Sequence, residues 1–166
     1  GMLDDLKKNV NDWKNVDEVD NYLVRVLKKE AHDKTGLIYG IGHAVYTVSD
    51  PRAGLLKKMA RDLAKEKGRE EEFDLMELVE ERAVKKFMEF KGEGQKQTCI
   101  NVDFYSGFVY DAIGLPEEVF TPLFAMARIV GWTAHRIEEL NFSSKRIIRP
   151  AYKNVREKQA FVPMNA

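Results

Sequence analysis

The sequence predicts an all-α, multi-helical protein, and three observations carry this prediction. Apolar residues recur at intervals of three and four along most of the chain, which is the spacing of one helix face. Aspartate precedes several of these stretches, where its side chain can cap the first turn of a helix. Only residues 36–46 are too rich in glycine for a helix, and there we expect a strand or an ordered loop.

The composition is typical of a globular domain and excludes several classes of function. Lys plus Arg and Asp plus Glu each total 27 of the 166 residues, so the chain lacks the cationic excess of a sequence-independent nucleic-acid binder. The single cysteine, Cys99, excludes an internal disulfide and a cysteine-based metal cluster. No signal-peptide pattern opens the chain, and no apolar run reaches the roughly 20 residues that span a bilayer. We therefore expect a cytoplasmic protein with no membrane partner.

Two helices with clear start signals are predicted in the first half of the chain. The first follows Asp17, and its spacing predicts a buried face of Val19, Tyr22, Leu23, Val26 and Leu27. The second starts at Asp50-Pro51, with Asp50 as the cap, and ends at Gly68. Its predicted buried face consists of Leu55, Leu56, Met59, Ala60 and Leu63.

The remaining periodic segments predict three further helices. A long amphipathic helix covers about residues 70–90 and turns Phe73, Met76, Val79, Ala83 and Phe87 inward. After a polar loop, Asn101 caps a short helix with the apolar residues Phe104, Tyr105, Phe108 and Val109. The last helix, residues 117–140, is apolar on most sides, so we expect it to be buried in a larger body or at a subunit interface.

Two residues stand in settings that suit acid–base or hydrogen-bond chemistry. His43 lies in Gly40-Ile41-Gly42-His43-Ala44, where small neighbours leave the imidazole open to a ligand carbonyl. Asp103 precedes the aromatic pair 104–105, and partial desolvation there would raise its pKa and make it a stronger base. Each also has a structural interpretation, His43 as a hydrogen-bonded structural histidine and Asp103 as a carboxylate that offsets a helix dipole.

Three arginines suit a ligand with several carboxylates. Arg128 lies within an apolar helical segment, where a guanidinium is costly unless it has an anionic partner. That partner is either a structural carboxylate or the carboxylate or phosphate of a ligand, which arginine grips with two parallel hydrogen bonds. Arg52 and Arg149 are each typical of solvated surface charges when taken singly, and they gain interest as a set with Arg128 and His43.

Four ordered motifs resemble those of the citrate synthase family. Gly40-Ile41-Gly42-His43-Ala44-Val45-Tyr46, followed by Asp50-Pro51-Arg52-Ala53, is similar to the G-x-G-H-x-V-Y…D-P-R-A stretch of that family. The segment 101–107 resembles its N-V-D-F-Y-S-G motif, and segments 120–135 and 146–150 resemble its closing motifs. The resemblance covers essentially all of residues 2–155.

The resemblance implies a mainly helical homodimer that condenses acetyl-CoA with oxaloacetate to citrate and free CoA at the entry to the tricarboxylic acid cycle. It implies no metal and no covalently bound cofactor, with acetyl-CoA as a substrate. Residues 2–114 would form most of the small domain of the family, and residues 115–166 the returning end of the large domain.

The resemblance also assigns roles to individual residues. Asp103 would take a methyl proton from acetyl-CoA, and His43 would polarise the oxaloacetate carbonyl. Arg52 and Arg128 would bind the substrate carboxylates, and Arg149 would reach the site of the partner subunit. The backbone along the adenine side of CoA would consist of Leu37, Ile38, Tyr39, Gly40, Ile41 and Gly42.

The family also has a histidine in an H-G-G-A-N loop, which this sequence lacks and which would precede Met2. We therefore expect a truncated chain that is inactive alone. Two alternatives stay open, namely a fragment of a 2-methylcitrate synthase, which uses propionyl-CoA, and a non-catalytic helical module that binds CoA or assembles through its apolar last helix.

Overall fold

The computed structural model describes residues 1–43, 46–92 and 97–143, together with Glu157. These residues form seven α-helices and one short 3-10 helix and include no β-strand, so the all-α prediction is confirmed. An isolated antiparallel bridge joins Ile41 and Ile100. By its internal contacts the chain divides into two compact units, Gly1–Leu123 and Phe124–Ala166.

The first unit opens with α1 (Met2–Asn9), which the apolar spacing did not predict, followed by α2 (Val16–Leu27). The five residues predicted to face inward on α2 are all buried. The cap lies earlier than predicted, because the side chain of Asn15 accepts hydrogen bonds from the backbone N–H groups of Asp17 and Glu18. A polar side chain at this position satisfies N–H groups that the first turn leaves unpaired.

The helix α3 (Pro51–Lys67) has the predicted ends but a different buried face. The Asp50 side chain caps its start, and Gly68 ends it in the left-handed conformation. The fully buried residues are Ala53, Ala60 and Ala64, whereas Leu55 and Met59 are each 68% exposed. Ala60 alone of the predicted face is fully buried, so that face is rotated by roughly a quarter turn from the observed one. The small alanine side chains let α3 approach its neighbours closely. This close packing, and not the size of the apolar side chains, determines which face of α3 is buried.

The helices α4 (Glu70–Lys91) and α5 (Asp103–Ala112) complete the core of the first unit and follow the prediction. Phe73 of α4 stacks on Tyr105 of α5 at a ring-centroid distance of 5.5 Å and meets Phe108 edge-on at 5.6 Å. Such aromatic pairs add about 0.5–1.5 kcal/mol beyond the apolar area they bury. The rings thereby fix α5, and with it Asp103 at the start of α5.

Ion pairs join α3 to α4 along the edge of their contact. Lys57 Nζ lies 2.7 Å from Glu80 Oε2, and Arg61 Nη1 lies 2.8 Å from Asp74 Oδ1. Tyr105 of α5 also donates its hydroxyl hydrogen to Glu80. Because these groups are partly exposed, each pair contributes at most about 1 kcal/mol, and their main effect is to fix the rotation of α3.

The segment predicted as one helix over residues 117–140 is interrupted. A 3-10 helix (Glu117–Val119) leads into α6 (Phe120–Met126), and α7 (Ile129–Leu140) follows after a turn at residues 127–128. No proline or glycine stands at this turn, and the sequence offers no reason for it. Val130, Trp132 and Ile137 of α7 are 78%, 55% and 57% exposed. Within the described ranges, no helix is both long and apolar enough to cross a membrane.

Candidate active site

The glycine-rich loop that precedes His43 is attached to the segment that leads into α5. The N–H of Gly42 donates to the carbonyl of Cys99 at 2.8 Å, and the N–H of Asn101 donates to the carbonyl of Gly40 at 2.9 Å. The Asn101 side chain adds a third bond to the carbonyl of Gly42 at 3.1 Å. These bonds bring the loop close to Asp103, although 60 residues of sequence separate His43 from Asp103.

Gly40 allows this close approach because it has no side chain. Its φ is +86°, in the left-handed region that favours glycine. A Cβ atom there would lie 2.7 Å from Cδ2 and 3.0 Å from Cα of Phe104. The loop can therefore lie against the first turn of α5 only with glycine at this position.

The imidazole of His43 is held by two neighbours whose sequence positions are close to its own. The backbone N–H of Tyr46 lies 2.9 Å from His43 Nδ1, and the two rings are in contact at a centroid distance of 4.8 Å. Arg52 Nη2 lies 3.1 Å from His43 Nε2. The His43 side chain is 19% exposed.

The contacts of His43 indicate which ring nitrogen carries the hydrogen. A backbone N–H and a guanidinium can only donate, and a neutral imidazole has one acceptor nitrogen. The N–H of Tyr46 cannot rotate away from Nδ1, so we assign Nδ1 as the acceptor and place the ring hydrogen on Nε2. Nε2–H and the Arg52 guanidinium are then two donor groups 3.1 Å apart.

Asp50 connects the start of α3 with this donor pair. Its carboxylate accepts from Arg52 Nε at 3.0 Å and from Arg52 Nη2 at 2.8 Å, and it also accepts from the backbone N–H of Arg52 at 3.0 Å. The guanidinium lowers the pKa of Asp50 below its usual range, in opposition to the desolvation that raises it. The sequence predicts only a capping role for Asp50, although its position two residues before Arg52 is a signal for this pairing.

Asp103 begins α5 with its backbone N–H bonded to the Asn101 side chain at 3.0 Å. The predicted cap is therefore one residue too early, because Val102 occupies the N-cap position and Asn101 bonds only to the first N–H of the helix. The Asp103 side chain is exposed, so the expected desolvation by the neighbouring rings is absent. Its charge, together with the larger effect of Asp50, raises the pKa of Arg52. Asp103 thus lies within electrostatic range of Arg52.

A cleft of about 500 Å³ opens beside Asp103 and is contained in the first unit. Gly40 and Asn101 line one part of it, and Gly1 and Met2 line another. The cleft is lined by carboxylates, among them Asp103, and by apolar side chains such as Phe104. Its volume is in the range of small-molecule sites.

The loop predicted to contact CoA, residues 37–42, contains both exposed and buried residues. Leu37 and Tyr39 are 55% and 48% exposed, whereas Ile38 is buried in the core. The Tyr39 hydroxyl donates to Asp33 at 2.5 Å, and this bond contributes most to lowering the pKa of Asp33 to about 2. Ile41 forms the bridge to Ile100, so the loop is fixed at that end. The exposed residues of the loop are those at its start.

The other two predicted arginines lie in the second unit. The Arg128 guanidinium covers the ring of Phe124 at 3.9 Å from the ring centroid, and the part of the chain that the structure describes offers it no carboxylate within salt-bridge distance. Of the two partners considered for Arg128, a structural carboxylate is therefore not found among these residues, and the side chain is half-buried. Arg149 lies outside the described residues.

Comparison with known proteins identifies the family. Residues 1–151 match the model of the "Citrate synthase, C-terminal domain" family. The citrate synthase of Synechocystis sp. is 42% identical over 129 residues, which are 76% of this chain and 30% of that protein. Citrate synthase 2 of Bacillus subtilis is 32% identical over 165 residues, which are 99% of this chain and 40% of that protein.

Solved structures show the same relationship. The crystal structure of citrate synthase from Pyrobaculum aerophilum matches with a TM-score of 0.63 at 27% identity, over 99% of this chain and 39% of that one. Citrate synthase from Thermotoga maritima matches with a TM-score of 0.61 at 30% identity, over 99% of this chain and 42% of that one. The chain thus spans between 30% and 42% of the length of these relatives. It belongs to the citrate synthase family and corresponds to the C-terminal domain of that family.

Proposed function

We propose that this chain supplies His43, Arg52 and Asp103 to the active site of a citrate synthase, which condenses acetyl-CoA with oxaloacetate. The observation that carries the proposal is the proximity of His43 Nε2 and Arg52 Nη2, which lie 3.1 Å apart. Oxaloacetate presents a ketone oxygen next to a carboxylate, and a neutral and a cationic donor side by side match this arrangement.

The chemistry follows from the protonation of each group. The Asp103 carboxylate takes a proton from the methyl group of acetyl-CoA, and the resulting enol or enolate carbon attacks the ketone carbon of oxaloacetate. The Nε2–H of His43 hydrogen-bonds to the ketone oxygen, on which negative charge develops as the new carbon–carbon bond forms. Arg52 binds the adjacent carboxylate. Water then hydrolyses the thioester and releases CoA.

We further propose that Arg128 and Arg149 complete the binding of the substrate carboxylates, Arg149 in the site of a partner subunit. Leu37–Gly42 would line the CoA site. Residues 2–114 would belong to the small domain of the family and residues 115–166 to the large domain, in a cytoplasmic dimer. The support for these roles is the match of residues 1–151 to the family, together with the motifs that carry these residues.

We also propose that the chain does not catalyse the reaction alone. The sequence lacks the H-G-G-A-N histidine loop, and the loss of one oxyanion donor typically costs about 10²–10³ in rate. Gly1 and Met2 line the cleft that contains Asp103, so residues joined before Gly1 in a longer chain would start at the edge of that cleft. A longer protein with that loop is the expected active form.

An assay for CoA release tests this proposal. The isolated chain, mixed with acetyl-CoA and oxaloacetate, should release thiol no faster than its D103N variant. Robust turnover by the isolated chain, lost in D103N, would show that the chain is complete as a catalyst. In a longer active protein, D103N should abolish condensation, and undiminished turnover would refute the role of Asp103.

Substrate competition and calorimetry separate the alternatives. A longer protein supplied with equal acetyl-CoA and propionyl-CoA should form citrate faster than 2-methylcitrate, and the reverse ratio would identify a 2-methylcitrate synthase. Calorimetry of the chain with CoA, with and without oxaloacetate, tests whether it is a non-catalytic module. Heat on addition of oxaloacetate supports a substrate site, and silence in both titrations favours a purely structural role.

A further inference from the structure

Asp50 is more deeply buried than its role as a helix cap requires. It is 1% exposed and is the one buried charged side chain among the described residues. Helix caps normally lie at the surface, where the carboxylate remains hydrated. Burial of a carboxylate is costly unless it is paired and hydrogen-bonded. The partners of Asp50 must therefore account for its position.

The pairing of Asp50 with Arg52 selects one edge of the guanidinium. A guanidinium can bind a carboxylate through Nε and Nη2 or through Nη1 and Nη2. Asp50 occupies the first edge with Oδ1 on Nε and Oδ2 on Nη2. Among the described residues no carboxylate contacts the second edge, and its Nη2 atom is the one that lies 3.1 Å from His43 Nε2.

Simple charge attraction cannot explain this arrangement. Asp50 neutralises Arg52, and its Oδ2 lies only 3.9 Å from His43 Nε2, so its negative charge opposes the binding of an anion next to them. A site built for attraction alone would have no carboxylate here. The benefit is in orientation, because a fixed guanidinium loses less conformational freedom when the ligand binds.

We propose that Asp50 is a positioning residue that holds the free edge of Arg52 beside His43 for an oxygen-bearing dicarboxylate. This inference rests on the proposed function for the identity of the ligand, and on the described contacts for the geometry. Orientation and electrostatics predict opposite effects of removing the charge. Without Asp50, a site governed by attraction would bind an anion more tightly, and a site governed by orientation would bind it more weakly.

The D50N variant separates these effects with little change in shape. Asparagine caps helices as well as aspartate does, so α3 should keep its cap. The asparagine side chain has a single acceptor oxygen, so the pair of hydrogen bonds from Arg52 Nε and Nη2 is lost. We expect oxaloacetate binding, followed by ¹⁵N NMR, to weaken about tenfold or more. Equal or tighter binding by D50N would overturn the proposal.

A matched control is present elsewhere in the first unit. Asp20 of α2 binds Arg82 of α4 through the same pair of hydrogen bonds, with Oδ1 on Nε and Oδ2 on Nη2. D20N therefore removes an equivalent ion pair that is not part of the proposed site. Its oxaloacetate affinity should equal that of the unmodified chain. A loss in D20N as large as that in D50N would show a general effect of destabilisation and overturn the proposal.

A measurement without ligand keeps the two proposals separate. Hydrogen exchange at Arg52 Nε–H should be slow in the unmodified chain and at least several-fold faster in D50N, while Arg82 Nε–H is unchanged. If neither form binds oxaloacetate, the proposed function fails, and this exchange rate alone decides the positioning role. Unchanged exchange at Arg52 would overturn that role in every case.

Discussion

The most specific structural prediction concerns Gly40, where the loop before His43 lies against α5. The change G40A adds one methyl group. The new Cβ would lie 2.7 Å from Cδ2, 2.9 Å from Cβ and 3.0 Å from Cα of Phe104. The last of these atoms belongs to the backbone of α5 and cannot move aside as a flexible side chain can. The loop or the helix must therefore shift.

The cost of G40A has two parts. A left-handed φ of +86° costs a residue with a Cβ roughly 1–2 kcal/mol. Overpacking of a fixed neighbour costs about 1–3 kcal/mol. The sum, about 2–5 kcal/mol, corresponds to a melting temperature lower by roughly 5–15 °C for a chain of this size.

Two further glycines provide graded controls for the same chemical change. Gly42 has a φ of +98°, but the nearest described atom, Thr98 Oγ1, would lie 3.8 Å from the new Cβ. G42A should therefore cost only the conformational part, about 1–2 kcal/mol. Gly54 lies within α3 with a helical φ and open space around it, so G54A should stabilise the chain by about 0.5–1 kcal/mol.

Urea unfolding followed by circular dichroism measures all three variants. The expected order of stability is G54A, the unmodified chain, G42A and then G40A. If G40A unfolds within about 0.5 kcal/mol of the unmodified chain while G54A behaves as expected, the close contact between the loop and Phe104 is wrong. If G42A costs as much as G40A, the steric part of the argument is refuted.

Three other predictions test separate features. Burial raises the pKa of Tyr22 and Tyr105, with added effects of Asp5 and Glu80, so both phenols hold their protons more tightly in the folded state. Their contribution to the free energy of unfolding is present below about pH 10 and is lost as the pH rises above it. Absorbance at 295 nm should show two tyrosines that ionise only on unfolding. Reversible titration of all tyrosines in the folded chain would contradict this. D103N should lower the free energy of unfolding by less than about 1 kcal/mol because Asp103 is exposed, and a loss above 2 kcal/mol in urea would indicate a structural role. Because α7 exposes apolar side chains, sedimentation should show concentration-dependent self-association that W132D reduces, and a monomer at every concentration would refute it.

The sequence predicted those parts of the fold in which local signals and packing agree. On α2 the apolar spacing named every buried residue, and Asp50 and Gly68 marked both ends of α3. The rotation of α3 could not be predicted because the alanine face is weakly apolar by residue type and is selected by close helix contact. The interruption of the last predicted helix has no sequence signal at residues 127–128.

For the candidate site, motifs identified the residues but not their interactions. His43, Arg52 and Asp103 were named from sequence, whereas the buried pairing of Asp50 and the contact of the Tyr46 N–H with His43 were not. These contacts depend on the three-dimensional placement of the described side chains, which residue type does not specify. Asp103 is exposed, contrary to the prediction, because the neighbouring rings of Phe104 and Tyr105 are buried in the core and do not cover the carboxylate.

The central claim is that His43 and Arg52 bind the same ligand, and an oxaloacetate titration of the ¹⁵N-labelled chain tests it most directly. With one or two charge-assisted hydrogen bonds of about 1.5–3 kcal/mol each, we expect Kd on the order of 1 mM. Saturable shifts should occur at the His43 ring, disappear in R52M and persist in R82M, which removes an arginine from a different ion pair. A titration without saturable shifts, or one that R52M leaves unchanged, would contradict the account.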